Sequence, residues 1–271
     1  MTHLKKTIFI FLFLFSKAFS IVVGNPSDPG LYIDGFFSSN EKVTSFRASY
    51  LYNNIYKQEF KNSVNMQATS DVKMEIFASI LTFNFFNRID LYAILGKANY
   101  QLTDVDDALF FQDDNFAWGA GFKLILYKGN KIDFSFDGKY FSTKQRTNSF
   151  VIEKLIYDLN GPFRQRLEEV QGSFAISYKT HFLIPYVGAT FLYTLDTDFF
   201  PHSRIIPKPL VRLISRGETE AIFETRDMKP KDLFGAVLGM SIINKHKNTT
   251  LNLETRLVDQ NAFAFVGTLR F

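Results

Sequence analysis

Asp196, Asp198 and His202 form the closest grouping of carboxylates and imidazole in this 271-residue chain. A carboxylate that orients a histidine, and a histidine that takes a proton from a hydroxyl or water, are the parts hydrolysis needs. The three follow a strand-like segment, in a stretch whose composition is also that of a solvated loop. Asp104, Asp106, Asp107, Asp113 and Asp114 offer oxygen ligands to a divalent cation, but without the spacing of a calcium loop. The other histidines, His3, His181 and His246, are far apart, and no metal spacing is present. Cysteine is absent, which excludes thiolate chemistry. No glycine-rich phosphate loop opens a helix. The expectation is therefore a chain with no catalytic centre, no cofactor and no metal site.

A different set of charges falls in phase with the hydrophobic pattern. Arg47, Lys123, Asp133, Asp137, Lys139, Lys179, Glu254 and Arg256 alternate with apolar and aromatic residues at a period of two. That period puts the two sets on opposite faces of strands. Arg47, Ser49, Leu51 and Asn53 oppose Phe46, Ala48, Tyr50 and Tyr52. Ala117, Gly119, Gly121 and Lys123 oppose Phe116, Trp118, Ala120 and Phe122. Asp133, Ser135 and Asp137 oppose Ile132, Phe134 and Phe136. Val72–Phe86 and Ile89–Tyr100 are less clean, being apolar on both faces in places.

The chain ends on two such strands, Thr249–Leu257 and Phe263–Phe271, joined by Asp259-Gln260-Asn261. About ten alternating residues suffice to cross a bilayer at a tilt. Aromatic residues make up 17% of the chain, with 32 Phe and 12 Tyr, more than a soluble sandwich needs and what a lipid-wrapped wall with aromatic girdles uses. A charge on the lipid side costs about 2–4 kcal/mol at mid-depth. The eight charged positions must then face a lumen. There they either line water and tune which ions pass, or pair with one another in a plugged barrel.

Residues 1–20 have a basic start at Lys5 and Lys6, an apolar run from Ile8 to Phe15, and small residues at Ala18 and Ser20. This is the pattern of a cleaved secretory signal. Loss of Lys5, Lys6 and Lys17 lowers the formal charge from +4 to +1, so the basic balance does not argue for nucleic acid. Residues 21–271 then form one barrel domain. An exported chain without disulfides must be held by its core or by a closed hydrogen-bond ladder.

Connections come in two lengths. Asn87-Arg88, Lys128–Asn130, Thr180-His181 and Lys245–Lys247 are short. Gln101–Asn115, Ser142–Glu168 and Asp196–Lys231 are long and polar. The short ones are expected on the periplasmic side and the long ones outside. Ten segments can be placed in alternating directions. Ser149–Tyr157 and residues 203–227 can supply more, either as strands or as outer loops. The fold class is all-β: a closed antiparallel transmembrane β-barrel of about 12 strands, within roughly 10–16. The loop from Asp196 to Lys231 carries Arg204, Lys208, Arg212 and Arg216 and either folds into the lumen or lies on the surface. Gly24–Gly30, with Pro26 and Pro29, reads as a linker.

Several stretches resemble the chlamydial-type major outer membrane protein porins. They are Val23-Gly24-Asn25-Pro26-Ser27-Asp28-Pro29-Gly30-Leu31-Tyr32-Ile33-Asp34-Gly35, then Asn87 to Gly96, Phe116 to Gly121, Pro185 to Gly188, Glu254 to Asp259, and the closing Leu269-Arg270-Phe271. Their order runs through nearly the whole mature chain. The resemblance implies a general porin, monomeric or a homotrimer, abundant in the outer membrane of a Gram-negative type cell and passing small polar solutes and ions. It supplies no catalytic residues. Family members are longer and commonly cysteine-rich, so their disulfide-network role is not carried over. The expected partners are outer-membrane lipid, the solutes, and the barrel-assembly machinery, which would read the terminal strand ending in Phe271. The alternatives are a surface adhesin or receptor on a plugged barrel, and an outer-membrane hydrolase.

Overall fold

The computed structural model describes residues 24–32, 44–62, 69–103, 109–112, 115–152, 155–198 and 228–271. It is an antiparallel barrel. The strands are β1 (Thr44–Asn62), β2 (Thr69–Phe85), β3 (Ile89–Thr103), β4 (Leu109–Gln112), β5 (Asn115–Lys128), β6 (Ile132–Ile152), β7 (Leu155–Tyr178), β8 (Leu183–Asp198), β9 (Met228–Pro230), β10 (Phe234–Ile243), β11 (Thr249–Leu257) and β12 (Asn261–Arg270). Ten of them close the wall in the order β1-β2-β3-β5-β6-β7-β8-β10-β11-β12, and β12 returns to β1. The closing seam runs from Arg47 opposite Arg270 to Lys57 opposite Asn261. Closure satisfies every edge, which lipid could not do. The short strands β4 and β9 sit at the long-loop end, where β4 pairs with β3 and β6 in line with β5, and β9 pairs with β1. The wall thus has ten strands, and twelve are reached only with β4 and β9.

Alternation decides which face each side chain takes. On β3, Ile89, Leu91, Ala93 and Leu95 are exposed on the outer face, while Asp90, Tyr92 and Ile94 are buried within. The same outer belt includes Phe122, Ile176, Val187, Leu238, Phe263 and Leu269. Lys97 ends the belt on β3. At 9 and 10 residues, β11 and β12 have the length of a tilted membrane-crossing strand. The fold is that of a closed membrane-spanning barrel. Trp118 and Tyr140 pack at 5.3 Å near one rim, and Phe46 and Phe271 at 6.2 Å near the other. No helix among the described residues is long and apolar enough to cross a membrane.

Three readings of the chain are corrected. First, Ser142–Glu168 is not a long loop. β6 and β7 run on as one tall hairpin of 21 and 24 residues, paired up to Ile152 opposite Leu155. Ser149–Tyr157 forms the paired tip of that hairpin rather than a separate strand, with Ser149 opposite Asp158 and Phe150 opposite Tyr157. Second, the turn expected at Asn87-Arg88 is centred one residue earlier. Phe86 and Asn87 both have positive φ, 54° and 51°, and Arg88 N–H bonds to Phe85 O at 3.0 Å. Two consecutive positive φ values give the mirror-image turn whose twist matches a hairpin. Third, Gly24–Gly30 is not a linker. It enters the barrel, as described next. The loop 203–227 lies outside the described residues.

Candidate functional site: the lumen and its mouth

All eight charged positions face inward, and seven of them are buried at 5% exposure or less; Lys179 is partly exposed. They meet partners, most of them neighbours on the same or the adjacent strand. Arg47 on β1 pairs with Asp90 on β3. Lys139 pairs with Asp137 at 2.7 Å, and Arg256 with Glu254 at 2.8 Å, each two residues along one strand and so on one face. Lys179 pairs with Asp133 at 2.9 Å across β6 and β7. Lys123 on β5 reaches Asp28 at 2.6 Å.

Asp28 belongs to the N-terminal segment 24–32, which folds through a single 3₁₀ turn at Asp28–Gly30 and fills the short-turn mouth. Asn25 donates to Ser241 Oγ on β10 at 3.0 Å. Ser27 Oγ lies 2.9 Å from both Ser135 Oγ on β6 and Ser177 Oγ on β7. Lys123 also donates to Asn25 O at 3.1 Å, and Arg47 to Asp28 O at 3.1 Å. Asn84 on β2 donates to Pro29 O at 3.4 Å, and Tyr32 bonds with Thr250 on β11. Arg47 also stands 4.5 Å over the Tyr32 ring. Leu31 and Tyr32 pack on Ile184 and Ile243. Burial pushes the Asp28 carboxyl up from its ordinary range, with Lys123 and Arg47 pulling the other way. Burial likewise raises Tyr32. A small cavity beside the segment is lined by Asp28, Arg47, Ser49, Ile80, Thr82, Asp90, Lys123 and Thr268.

Above this layer, two tyrosines bind the ion pairs to the wall. Tyr92 donates to Asp137 at 2.6 Å and Tyr186 to Glu254 at 2.7 Å. Each ring lies against a glycine on the facing strand, Tyr92 on Gly121 and Tyr186 on Gly239, where a Cβ would run into the ring. Gly239→Ala is expected to push Tyr186 off Glu254 and lower stability by about 1–3 kcal/mol, as overpacking does. Denaturant unfolding in detergent, followed by the fluorescence of Trp118, the single tryptophan, measures it.

The half of the lumen nearer the long loops is different. Leu51, Ile55, Met74, Ile76, Ile94, Phe141 and Leu192 form one buried apolar cluster inside the wall. This is why β2 and β3 read as apolar on both faces. At the rim, Val258 has φ 82°, and Asp259 turns inward to accept from Thr190 Oγ1 at 2.7 Å. Burial raises the Asp259 carboxyl against the pull of Arg256. Four inward amides, Asn53, Gln58, Gln171 and Asn252, are buried at 2% exposure or less without a hydrogen-bond partner.

Asp28, Asp90, Tyr92 and Tyr186 were not among the sequence candidates. Strand parity places Asp90, Tyr92 and Tyr186 inward and could have found them. No periodicity could have found Asp28. Asp196 and Asp198 end β8, with their Cα atoms opposite Glu168 and Arg166 on β7. His202 and the acidic residues Asp104, Asp106, Asp107, Asp113 and Asp114 lie outside the described residues. Among the described residues, no group of three or more His, Asp or Glu is placed to hold a metal.

No protein-family profile matches the chain, and no curated protein matches it by sequence. Solved structures are similar to it at low identity and low TM-score. The translocator domain of the autotransporter NalP from Neisseria meningitidis superposes with a TM-score of 0.40 at 8% identity, over 86% of this chain and 89% of that one. The transport unit of the autotransporter AIDA-I from Escherichia coli gives 0.38 at 10% identity, over 90% and 95%. An outer membrane channel from Pseudomonas putida F1 gives 0.38 at 9% identity, over 84% and 96%.

Proposed function

We propose that this chain is an outer-membrane porin, a passive path for small polar solutes and ions. The observation that carries this reading is the polar file inside the wall. Arg47, Lys123, Asp133, Asp137, Lys139, Lys179, Glu254 and Arg256 face the lumen, as do the unpartnered amides of Asn53, Gln58, Gln171 and Asn252. A buried amide without a partner costs about 1–3 kcal/mol, a cost that water or solute in the lumen would relieve. In this role the eight charges are pore-lining residues that set selectivity. With ten strands the path is narrow, since eight leave room only for side chains. The motif order noted above supports placing the chain with the chlamydial-type major outer membrane protein porins. In that setting residues 1–20 are a cleaved signal and Phe271 is the mark read during barrel assembly. The chain inserts as a monomer or homotrimer with its short turns in the periplasm, and it has no enzymatic role.

A second reading, a surface adhesin or receptor on a plugged barrel, is favoured by one observation: the buried apolar cluster on the inner wall nearer the long loops, which offers a path no polar lining. One measurement separates the two. Protein purified from outer membranes and inserted into planar bilayers is expected to give stepwise conductance, with ion selectivity altered by Arg256→Glu. Silence from a demonstrably folded barrel, in the parent and in Asp28→Asn alike, would overturn the porin reading and leave the plugged barrel.

A further inference from the structure

We propose that residues 24–32 are a displaceable plug that shuts the short-turn mouth, latched by the ion pair between Asp28 and Lys123; this rests on the porin reading. The segment belongs to no strand, yet it is bonded to β1, β2, β5, β6, β7, β10 and β11. Its hold is mostly polar. Wall donors Lys123, Arg47 and Asn84 point at plug acceptors, namely the carbonyls of Asn25, Asp28 and Pro29 and the Asp28 carboxylate. Its apolar cluster is made by Leu31 and Tyr32 at one end, with Pro26 and Pro29 also buried. Water replaces hydrogen bonds of this kind at small net cost, whereas it cannot replace a packed core. The segment is therefore far easier to lift out than the apolar cluster beyond it.

The charges at this mouth also indicate the latch. The wall supplies Arg47, Lys123, Lys128, Lys179 and Arg270 as cations, with Asp90 on Arg47 and Asp133 on Lys179 as carboxylates. The carboxylate bonded to Lys123 comes from the plug. Lifting the segment out removes that carboxylate from the mouth and opens the small cavity beside Arg47 and Lys123 to the space below.

The chain has no cysteine, so a lock can be built cleanly. Ser27→Cys with Ser177→Cys places two thiols where hydroxyls now stand 2.9 Å apart. In planar bilayers the reduced double variant is expected to conduct and the oxidised one to be shut, with reductant restoring the current. Ser27→Cys with Ser135→Cys is an independent lock from the neighbouring strand. Asp28→Asn is expected to raise the open-to-closed ratio about tenfold, the factor that 1.4 kcal/mol represents. Equal conductance in the oxidised and reduced states, with the disulfide verified by mass, overturns the plug and leaves the pore. Silence in both states and in Asp28→Asn overturns the pore itself and the plug with it.

Discussion

Glu254→Ala is expected to destabilise the barrel by about 3–5 kcal/mol, the cost of leaving a buried charge without its partner. Glu254 accepts from Arg256 Nε at 2.8 Å and from Tyr186 Oη at 2.7 Å, and all three residues are buried at 3% exposure or less. Removing the carboxylate strands a guanidinium and a phenol together. The double replacement Glu254→Leu with Arg256→Met is expected to recover most of the loss, because an apolar pair of similar volume avoids desolvating two charges. Denaturant midpoints in one detergent decide it. If the single variant falls within 1 kcal/mol (about the error of such comparisons), Glu254 is solvated well enough that its partners contribute little. That result would also strengthen the case for a wide pore, so the measurement bears on function as well as on stability.

A charge placed on the other face should do comparable damage for a different reason. Ala93→Arg puts a guanidinium at mid-depth on the lipid side, where such a charge costs about 2–4 kcal/mol. Ala93 lies between Leu91 and Leu95 on the outer face of β3, and its cross-strand partners Leu81 and Ala120 are exposed there too. No large side chain is removed, so the loss reports the surrounding medium. Lys97 on the same strand is already a cation at the belt's edge, and Lys97→Arg is expected to change stability little. Folding yield into bilayers of defined thickness measures the difference. An Ala93→Arg barrel as stable as the parent would mean that β3 does not face lipid.

Much of this barrel is legible in the order of residues. Asp133, Asp137 and Lys139 on β6, and Glu254 and Arg256 on β11, take the inner face that strict alternation assigns them. The ten wall strands follow the ten segments that alternation and turn signals mark out, because a period of two is a local property of extended chain. Bulges mark where that local rule stops. The register of β1 slips between Ile55 and Gln58, so Lys57 is exposed and Gln58 is buried, opposite to uninterrupted parity. Which residue is left over in a bulge depends on the partner strand's hydrogen bonds, and a single strand does not contain that information.

The sequence by itself determined a closed antiparallel membrane barrel and the inward face of its charges. Each of these follows from alternation, segment length and loop length along one strand at a time. Only the tertiary structure decided how those charges are used. Lys123 and Asp28 are 95 residues apart, and Ser27 and Ser177 are 150 apart. Closure of the wall is what brings them within bonding distance. A segment rich in proline and glycine has no periodicity to show that it is buried. Its place in the mouth is fixed by donors on strands that meet only once β12 pairs with β1.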